Sequence, residues 1–497
     1  MSRLIGGLCF LLILTGCIRP HYKPPPVNTP SEWRIEADEG STLCNLRWWE
    51  QFNDPVLDEL IVTALKHNQV LKAAISNVFI YYARLGIAKS ALYPNLAGNA
   101  IYSRARSSLV TPATSLLGAP APQNDLATSS VSSDPSLPSG ITPILNDYQL
   151  FFSTSWELDF WGRVRSAVEA ANYDLLSQIE NRRSVVLSVV NSVATGYIRL
   201  RQLDSQLEIS KKTLASRKES LQLAMTRFNL GETSELEVKQ AESEVEDAAI
   251  SVLEFEREIP IQENLLSVLI GQNPRDIERG NSLDTLHYLV DIPTGLPSDL
   301  LVRRPDIVGA EDALIAANAR ITEVRALFFP QISLTGMFGS ESFELSSLLT
   351  GPAKMWQYGF NAMQNIFDAG RTVYRVYEAE AYRNQVLHNY YQTILNAFRE
   401  VNDALVRYRK NRALFLEHQI QVKVLGDYLH LAQLRYQEGE VDYLNVLDAE
   451  RALFNAQLSM IQAQADSFTA ISSLYSALGG GWVTDADEIA MRNTYCN

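Results

Sequence analysis

The sequence predicts a mainly α fold: long antiparallel helical hairpins, built twice, with four β-strands set between the helices. Three observations carry this. Arg227 to Ala249 (RFNLGETSELEVKQAESEVEDAA) and Arg435 to Gln457 (RYQEGEVDYLNVLDAERALFNAQ) align without gaps at an offset of 208, each reading helix, glycine turn, helix. Proline is absent from Arg163 to Ile259 and after Pro352, so nothing interrupts the flanking helices there. Four short stretches alternate apolar and polar residues with the period of a strand.

The chain opens on Arg3, the apolar run Leu4 to Leu14, and Leu14-Thr15-Gly16-Cys17. A basic start, a short apolar core and small residues before a cut read as a signal peptide over 1–16, too short for a spanning helix. The cut site is similar to a bacterial lipobox, which implies that Cys17 becomes the lipid-bearing first residue, an N-palmitoyl, S-diacylglycerol cysteine. Ile18 follows, rather than the aspartate that often retains such lipoproteins at the inner membrane, and this points to the outer one. Residues 17–46 form a proline-rich tail around Pro24-Pro25-Pro26. Of the four cysteines, Cys9 lies in the leader. Cys44 and Cys496 sit near the two ends of the mature chain, as a disulfide or as two free thiols.

The first repeat is assigned to 47–282. Asp54-Pro55 is a helix start, with a capping oxygen ahead of proline at the first helical position, and the helix runs to about Ser90 with a break near Asn68. Tyr93-Pro94 ends it. Strands follow at about 95–105 and 148–158, the second with Tyr148, Leu150, Phe152 and Trp156 on one face. Arg163 to Leu230 is then one helix on the order of 100 Å long at about 1.5 Å per residue, returning after Gly231. The second repeat, 296–480, follows the same plan. Phe329-Pro330 matches Tyr93-Pro94, strands lie at about 331–339 and 355–363, and the hairpin tip is near 439. Residues 481–497 are a C-terminal tail, with Gly479-Gly480-Gly481 terminating the last long helix. Coiled-coil spacing at Val186, Val190, Val193, Tyr197 and Leu200 recurs at Ile394, Phe398, Val401, Leu405 and Tyr408.

A net charge of −14 excludes a nucleic-acid binder, which needs basic stripes. The six histidines show no metal-ligand spacing, and no phosphate loop or nucleophile motif stands in context, so the chain does not read as an enzyme or as a cofactor binder. No apolar run after the leader is expected to span a bilayer as a helix. Four strands cannot close a barrel, and an open edge in lipid leaves backbone groups unsatisfied. Two chains would give eight strands, filled by their own side chains; three give twelve and a pore.

These features resemble the TolC-like outer-membrane efflux proteins, in the NodT-type lipoprotein branch that serves resistance-nodulation-division pumps. The carriers are the Cys17 lipobox, Trp48-Trp49 with Phe52 and Asp54-Pro55, the segment Leu296 to Ile307 (LPSDLLVRRPDI), and Tyr436…Gly439…Leu447-Asp448-Ala449 at the tip. The resemblance covers nearly the whole mature chain. It implies a homotrimer with a twelve-stranded outer-membrane β-barrel above a periplasmic α-barrel, acting as a passive exit duct for drugs or other toxic solutes. The implied partners are a periplasmic adaptor, an inner-membrane pump and outer-membrane lipid.

The resemblance also implies an entrance gate at the tips, with Asp448 in a carboxylate ring and Asn445 where some relatives carry a second aspartate. Tyr436 matches a lock tyrosine and Glu237 lies near its acidic partner. Val441 stands where some relatives have arginine, so the expectation is a Tyr436–Glu237 hydrogen bond in place of an ionic lock. Between the twin tips Asp448 is matched by Gln240 and Asn445 by Glu237, so each tip holds a carboxylate where the other holds an amide. Two rival readings are a duct for protein secretion and a lipid-anchored scaffold without a pore.

Overall fold

The computed structural model describes residues 22–30, 32–33, 47–106, 144–285, 297–479 and 482–492. Cys17, Cys44 and Cys496 lie outside the described residues. The described chain divides into two compact units: one holds 85–169 and 319–379, the other the residues up to Arg84, 170–318 and those from Glu380 onward.

The first unit is organised by a single antiparallel sheet in the order β1 (Asn95–Arg106), β2 (Ile144–Glu157), β3 (Gln331–Ser342), β4 (Lys354–Met363). The sequence predicts two strand pairs; the structure joins them, with Phe152 opposite Phe338 and Trp156 opposite Leu334 across β2 and β3. β2 starts earlier and β3 runs longer than the periodicity marks, because Asn146 and Ser340 extend the ladders without adding apolar side chains. Two conformations re-aim the chain where strands give way to long helices: Gly162 and Gly370 have φ of 78° and 84°, which glycine adopts freely.

Helices occupy the rest. A 3₁₀ turn, Trp48–Phe52, precedes α1 (Pro55–His67) and α2 (Gln69–Ser90). Asp54 is fully buried and caps α1, its Oδ1 accepting from Val56 N at 3.0 Å and Leu57 N at 3.4 Å. Its Oδ2 accepts from the Tyr197 hydroxyl at 2.8 Å and Asn281 N at 3.1 Å, so one carboxylate ties a cap to a distant helix and loop. α3 (Arg163–Asn229) and α4 (Glu235–Leu269) are the first long hairpin; α5 is Pro305–Arg325; α6 (Arg371–Gln437) and α7 (Tyr443–Ala477) are the second, and α8 is Trp482–Arg492. The twin hairpins match in length, 67 residues then 35 in each. α4 continues through Pro260, a residue beyond the proline-free stretch.

Against expectation, the stretch Pro55–Ser90 contains a window of mean hydropathy 1.2 that is long and apolar enough to cross a membrane, 17% of it buried. The break expected near Asn68 divides this stretch into α1 and α2.

The main apolar core of the second unit joins Trp48, Trp49 and Phe52 to Tyr197, Leu266, Ile394, Tyr475 and Trp482, with Trp48 stacked on Tyr475 at 5.6 Å. The segment Leu300–Arg303 is a short helical turn, and Arg304 beyond it is buried. Its guanidinium donates to the Ala477 carbonyl at the end of α7 (2.8 Å), to Asp306 (2.6 Å) and to Glu400 on α6 (2.8 Å). Trp33, in the N-terminal tail, meets Phe398 edge-on at 6.3 Å, and the Tyr22 hydroxyl donates to Glu311 at 3.3 Å.

Candidate functional site

Each hairpin tip closes in the same way. Glu232 N donates to Arg227 O and Gly231 N to Phe228 O, both at 2.9 Å; Glu440 N donates to Arg435 O at 2.9 Å and Gly439 N to Tyr436 O at 3.0 Å. This paired pattern satisfies the last helical carbonyls and needs a left-handed residue, supplied by Gly231 (φ 81°) and Gly439 (φ 75°). The turn therefore sets where these side chains stand: Arg227 and Tyr436 one helical turn before their glycines, and Glu237 six residues after Gly231.

Those three side chains meet. The Tyr436 hydroxyl donates to Glu237, which also accepts from Thr233, and it accepts from Arg227 Nη1 at 2.6 Å. The Arg227 guanidinium also lies over the Tyr436 ring, 5.1 Å from its centroid. Burial first, then the bond to Glu237, pushes the Tyr436 phenol up to about 12, so it is a neutral donor at any physiological pH. Tyr443 packs on Tyr436 with centroids 5.3 Å apart, and burial raises its phenol as well. An arginine is thus present at this contact, although Val441 does not supply it.

A second contact lies two turns further from the tip. Glu244 on α4 is 1% exposed, forms an ion pair with Arg217 Nη2 at 3.0 Å and accepts a hydrogen bond from Arg451 Nε on α7 at 2.5 Å. Arg217 also donates to the Glu244 carbonyl at 2.8 Å and sits 5.4 Å from the Phe454 ring. Burial raises the carboxyl of Glu450 beside this cluster, against the pull of Arg217. Asp448 and Asn445 are exposed and Gln240 is half-buried. Asp448 lies 4.0 Å from Arg451, and Asn445 donates to the Asp442 carbonyl at 3.3 Å.

Arg227, Arg217, Glu244 and Arg451 were not singled out from sequence. A signal was available in the twin comparison, where Glu244 is matched by Ala452 and Arg451 by Ser243. A charge on one twin facing a small residue on the other marks a contact that the repeat does not share.

The sheet carries a second kind of surface. Register puts Phe152, Phe338 and Trp356 in one row and Thr154, Gly336 and Tyr358 in the next, on the same face. Trp356 (69% exposed), Tyr358 (80%) and Phe360 (65%) stand out from that face, whereas Gln149, Ser153, Thr335 and Gln357 alternate onto the other. Charges bracket the strands, Asp147 and Glu157 on β2, Lys354 and Asp368 on and after β4. The charge-free part of β2, Tyr148 to Trp156, is about the nine residues that a tilted transmembrane strand needs. An apolar face this exposed on an antiparallel sheet fits lipid on one side and water on the other.

Comparison with known proteins agrees. The family model for outer membrane efflux proteins matches residues 60–272 and 296–480. The solvent efflux pump outer membrane protein SrpC of Pseudomonas putida is 34% identical over 482 residues, 95% of this chain and 97% of that protein. The cation efflux system protein CusC of Escherichia coli is 31% identical, over 95% of this chain and 98% of its own. Among solved structures, the Campylobacter jejuni CmeC outer membrane channel superposes with a TM-score of 0.82 at 26% identity, covering 95% of this chain and 98% of that one. The fold is that of the TolC-like channels, an α-barrel joined to a trimeric β-barrel with four strands from each chain. With its matched hairpins and lipid-compatible sheet, the chain belongs to the outer membrane efflux protein family, whose members are passive ducts of the outer membrane with a large periplasmic part.

Proposed function

We propose that this efflux channel completes a tripartite machine: a periplasmic adaptor docks on the helical hairpins, and an inner-membrane pump of the resistance-nodulation-division class supplies the energy. The names of the relatives support this, since they are the outer-membrane parts of pumps. The exported compounds are small toxic organic solutes of the kind named for the solvent and toluene efflux relatives, with selection made upstream in the pump. The lipid on Cys17 adds a second attachment to the outer membrane. The two repeats, 47–282 and 296–480, act as one protomer of a homotrimer, and their equal helix lengths favour tips that end at one level.

The entrance gate is assigned to the hairpin tips, and one observation carries that assignment: Tyr436 on the second hairpin is bonded to Glu237 and Arg227 on the first. This catch holds the two hairpins of a chain together, and the Arg451–Glu244–Arg217 contact is a second fastening along the same pair. Three copies of Asp448 would line a narrow mouth, repel one another and draw cations. Asn445 contributes no charge, so the mouth carries one carboxylate ring, with Gln240 the uncharged counterpart on the other tip.

The test is electrical. The purified trimer in a planar bilayer should conduct weakly, and Tyr436→Phe with Glu237→Gln should raise its single-channel conductance several-fold; unchanged conductance in the double variant rejects the gate. Cross-linking in cells should bring down an adaptor and an inner-membrane pump with the channel, and their absence would reject the tripartite assignment.

A further inference from the structure

The four strands carry six charged side chains, and the sheet sorts them by sign. The three cations, Arg104, Arg106 and Lys354, lie on the face that also shows Tyr102, Trp356 and Tyr358. The three acids, Asp147, Glu157 and Glu341, lie on the opposite face. Gln149 joins two of these acids, its Nε2 donating to Asp147 Oδ2 at 2.7 Å and to Glu341 Oε1 at 3.2 Å, and Glu157 is paired with Arg163 at 2.6 Å. Arg104, Arg106 and Lys354 are exposed, and none has an ion-pair partner among the described residues. The β3–β4 loop adds a single acid, Glu344, whose carboxylate accepts from Ser346 at 3.5 Å.

The two edge strands place their cations at one level. Arg104 stands nine residues from Asn95, where β1 begins, and Lys354 stands nine residues from Met363, where β4 ends. Those ends are the ones joined to helices, so they face the periplasm, and the cations stand toward the outer surface. Nine residues at about 3.3 Å each span about 30 Å. A strand tilt of about 40° turns that into roughly 23 Å of height, close to the ~25 Å apolar band of an outer-membrane barrel. The cations therefore stand where hydrocarbon gives way to headgroups. One pleat below them are Tyr102, stacked on Tyr148 at 4.8 Å, and Trp356, stacked on Tyr358 at 5.7 Å. β1 and β4 are the two edges of the sheet, and a barrel made of three chains closes by laying β4 of one copy against β1 of the next. Closure gathers Lys354 of one copy with Arg104 and Arg106 of its neighbour into one basic patch, repeated around the trimer.

We propose that each patch binds the phosphates of an outer-leaflet lipid that carries more than one of them, with the acyl chains lying on the aromatic face below. Charge complementarity calls for an anion, and position calls for a lipid. A soluble ion would gain nothing from Trp356 and Tyr358, whereas acyl chains cover them while the phosphates meet the cations. Arginine suits the contact because its planar fork pairs with two phosphate oxygens at once, and Lys354 adds a point charge. Keeping Asp147 and Glu341 on the lumen side spares the phosphates the repulsion that acids on the lipid face would exert.

Native mass spectrometry of the purified trimer, titrated in detergent with lipid A (an acylated disaccharide with two phosphates), tests the patch. The wild type should take up one lipid per patch. The same lipid stripped of its phosphates should bind on the order of 100-fold more weakly, since each basic residue at a membrane surface contributes roughly a factor of five. Arg104→Gln with Arg106→Gln and Lys354→Gln should bring the phosphorylated lipid down to the level of the stripped one, and the charge-keeping pair Arg104→Lys with Arg106→Lys should retain most of the binding. Size-exclusion chromatography and circular dichroism show whether the glutamine variant is an assembled trimer; if it does not assemble, the wild type's preference between the two lipids decides. Equal binding of both lipids by the wild type, or undiminished binding by an assembled glutamine variant, overturns the proposal. Displacement of the lipid by millimolar inorganic phosphate also overturns it, because the patch would then be a site for free anions. So does equally tight binding of phosphatidylglycerol, which carries one phosphate.

Discussion

Replacing Tyr436 by phenylalanine removes one hydroxyl that serves two partners, donating to Glu237 and accepting from Arg227 at 2.6 Å. Net hydrogen bonds contribute about 0.5–1.5 kcal/mol each, more when one partner is charged. The groups are only half-buried, so solvent screening holds the estimate to the low end, about 1.5 kcal/mol per chain. Three chains share one entrance, which multiplies the loss to about 4–5 kcal/mol, close to the ~5.5 kcal/mol that turns a 1:99 population into 99:1. Single-channel recording of Tyr436→Phe in a planar bilayer should then show an entrance open for a large share of the time, whereas the wild type is mostly closed. A second readout follows from the phenol, raised to about 12 by burial and by Glu237. A raised phenol keeps its full contribution below the ordinary tyrosine value of about 10 and loses it as pH rises through the folded value, because the phenolate cannot donate and repels Glu237. The wild-type channel should therefore open between about pH 10 and 12, and Tyr436→Phe should lack that step. A phenylalanine variant with wild-type open time, or one that keeps the alkaline step, would refute the catch.

Further outcomes are expected elsewhere in the chain. Asp54→Ala removes the cap of α1 and leaves the buried donors of Tyr197 and Asn281 without their acceptor, a loss of about 3 kcal/mol that should appear as a lower heat-dissociation midpoint of the trimer. Asp448→Asn should reduce the cation preference measured by reversal potentials in a salt gradient while leaving the fold's circular dichroism unchanged, since Asp448 is exposed. Burial raises the carboxyl of Glu450, so its ionised form is penalised in the folded chain. Glu450→Gln should raise the melting midpoint near neutral pH, and the advantage should fade as acid protonates the wild-type side chain; an advantage that persists at low pH would argue against burial as the cause.

Local features of the sequence carried much of this architecture. Asp54-Pro55 placed a helix start, Gly231 and Gly439 placed the tips, and period-two alternation placed all four strands, each because the deciding interactions lie within a few residues of one another. Strand limits were less legible on β2 and β3, where polar residues such as Asn146 and Ser340 belong to the ladder through backbone bonds that side-chain pattern does not report. The apolar window within Pro55–Ser90 is hard to see as a run, because Asn68 and scattered charges break the pattern of the stretch around it.

The tips divide most plainly between what is local and what is not. The sequence by itself determined that two equivalent hairpins end in the same glycine turn, that the twins differ in where they place a carboxylate and an amide, and that the family is one of outer-membrane ducts. Only the tertiary structure decided that Arg227 completes the contact between Tyr436 and Glu237, that Arg451 reaches Glu244, and that Gln202 on α3 bonds Gln462 on α7. These partners lie some two hundred residues apart, and whether they meet depends on how two long helices are phased and aligned against each other. A hairpin turn sets its own geometry; the pairing of one hairpin's side chains with another's is set by packing along the whole length of both.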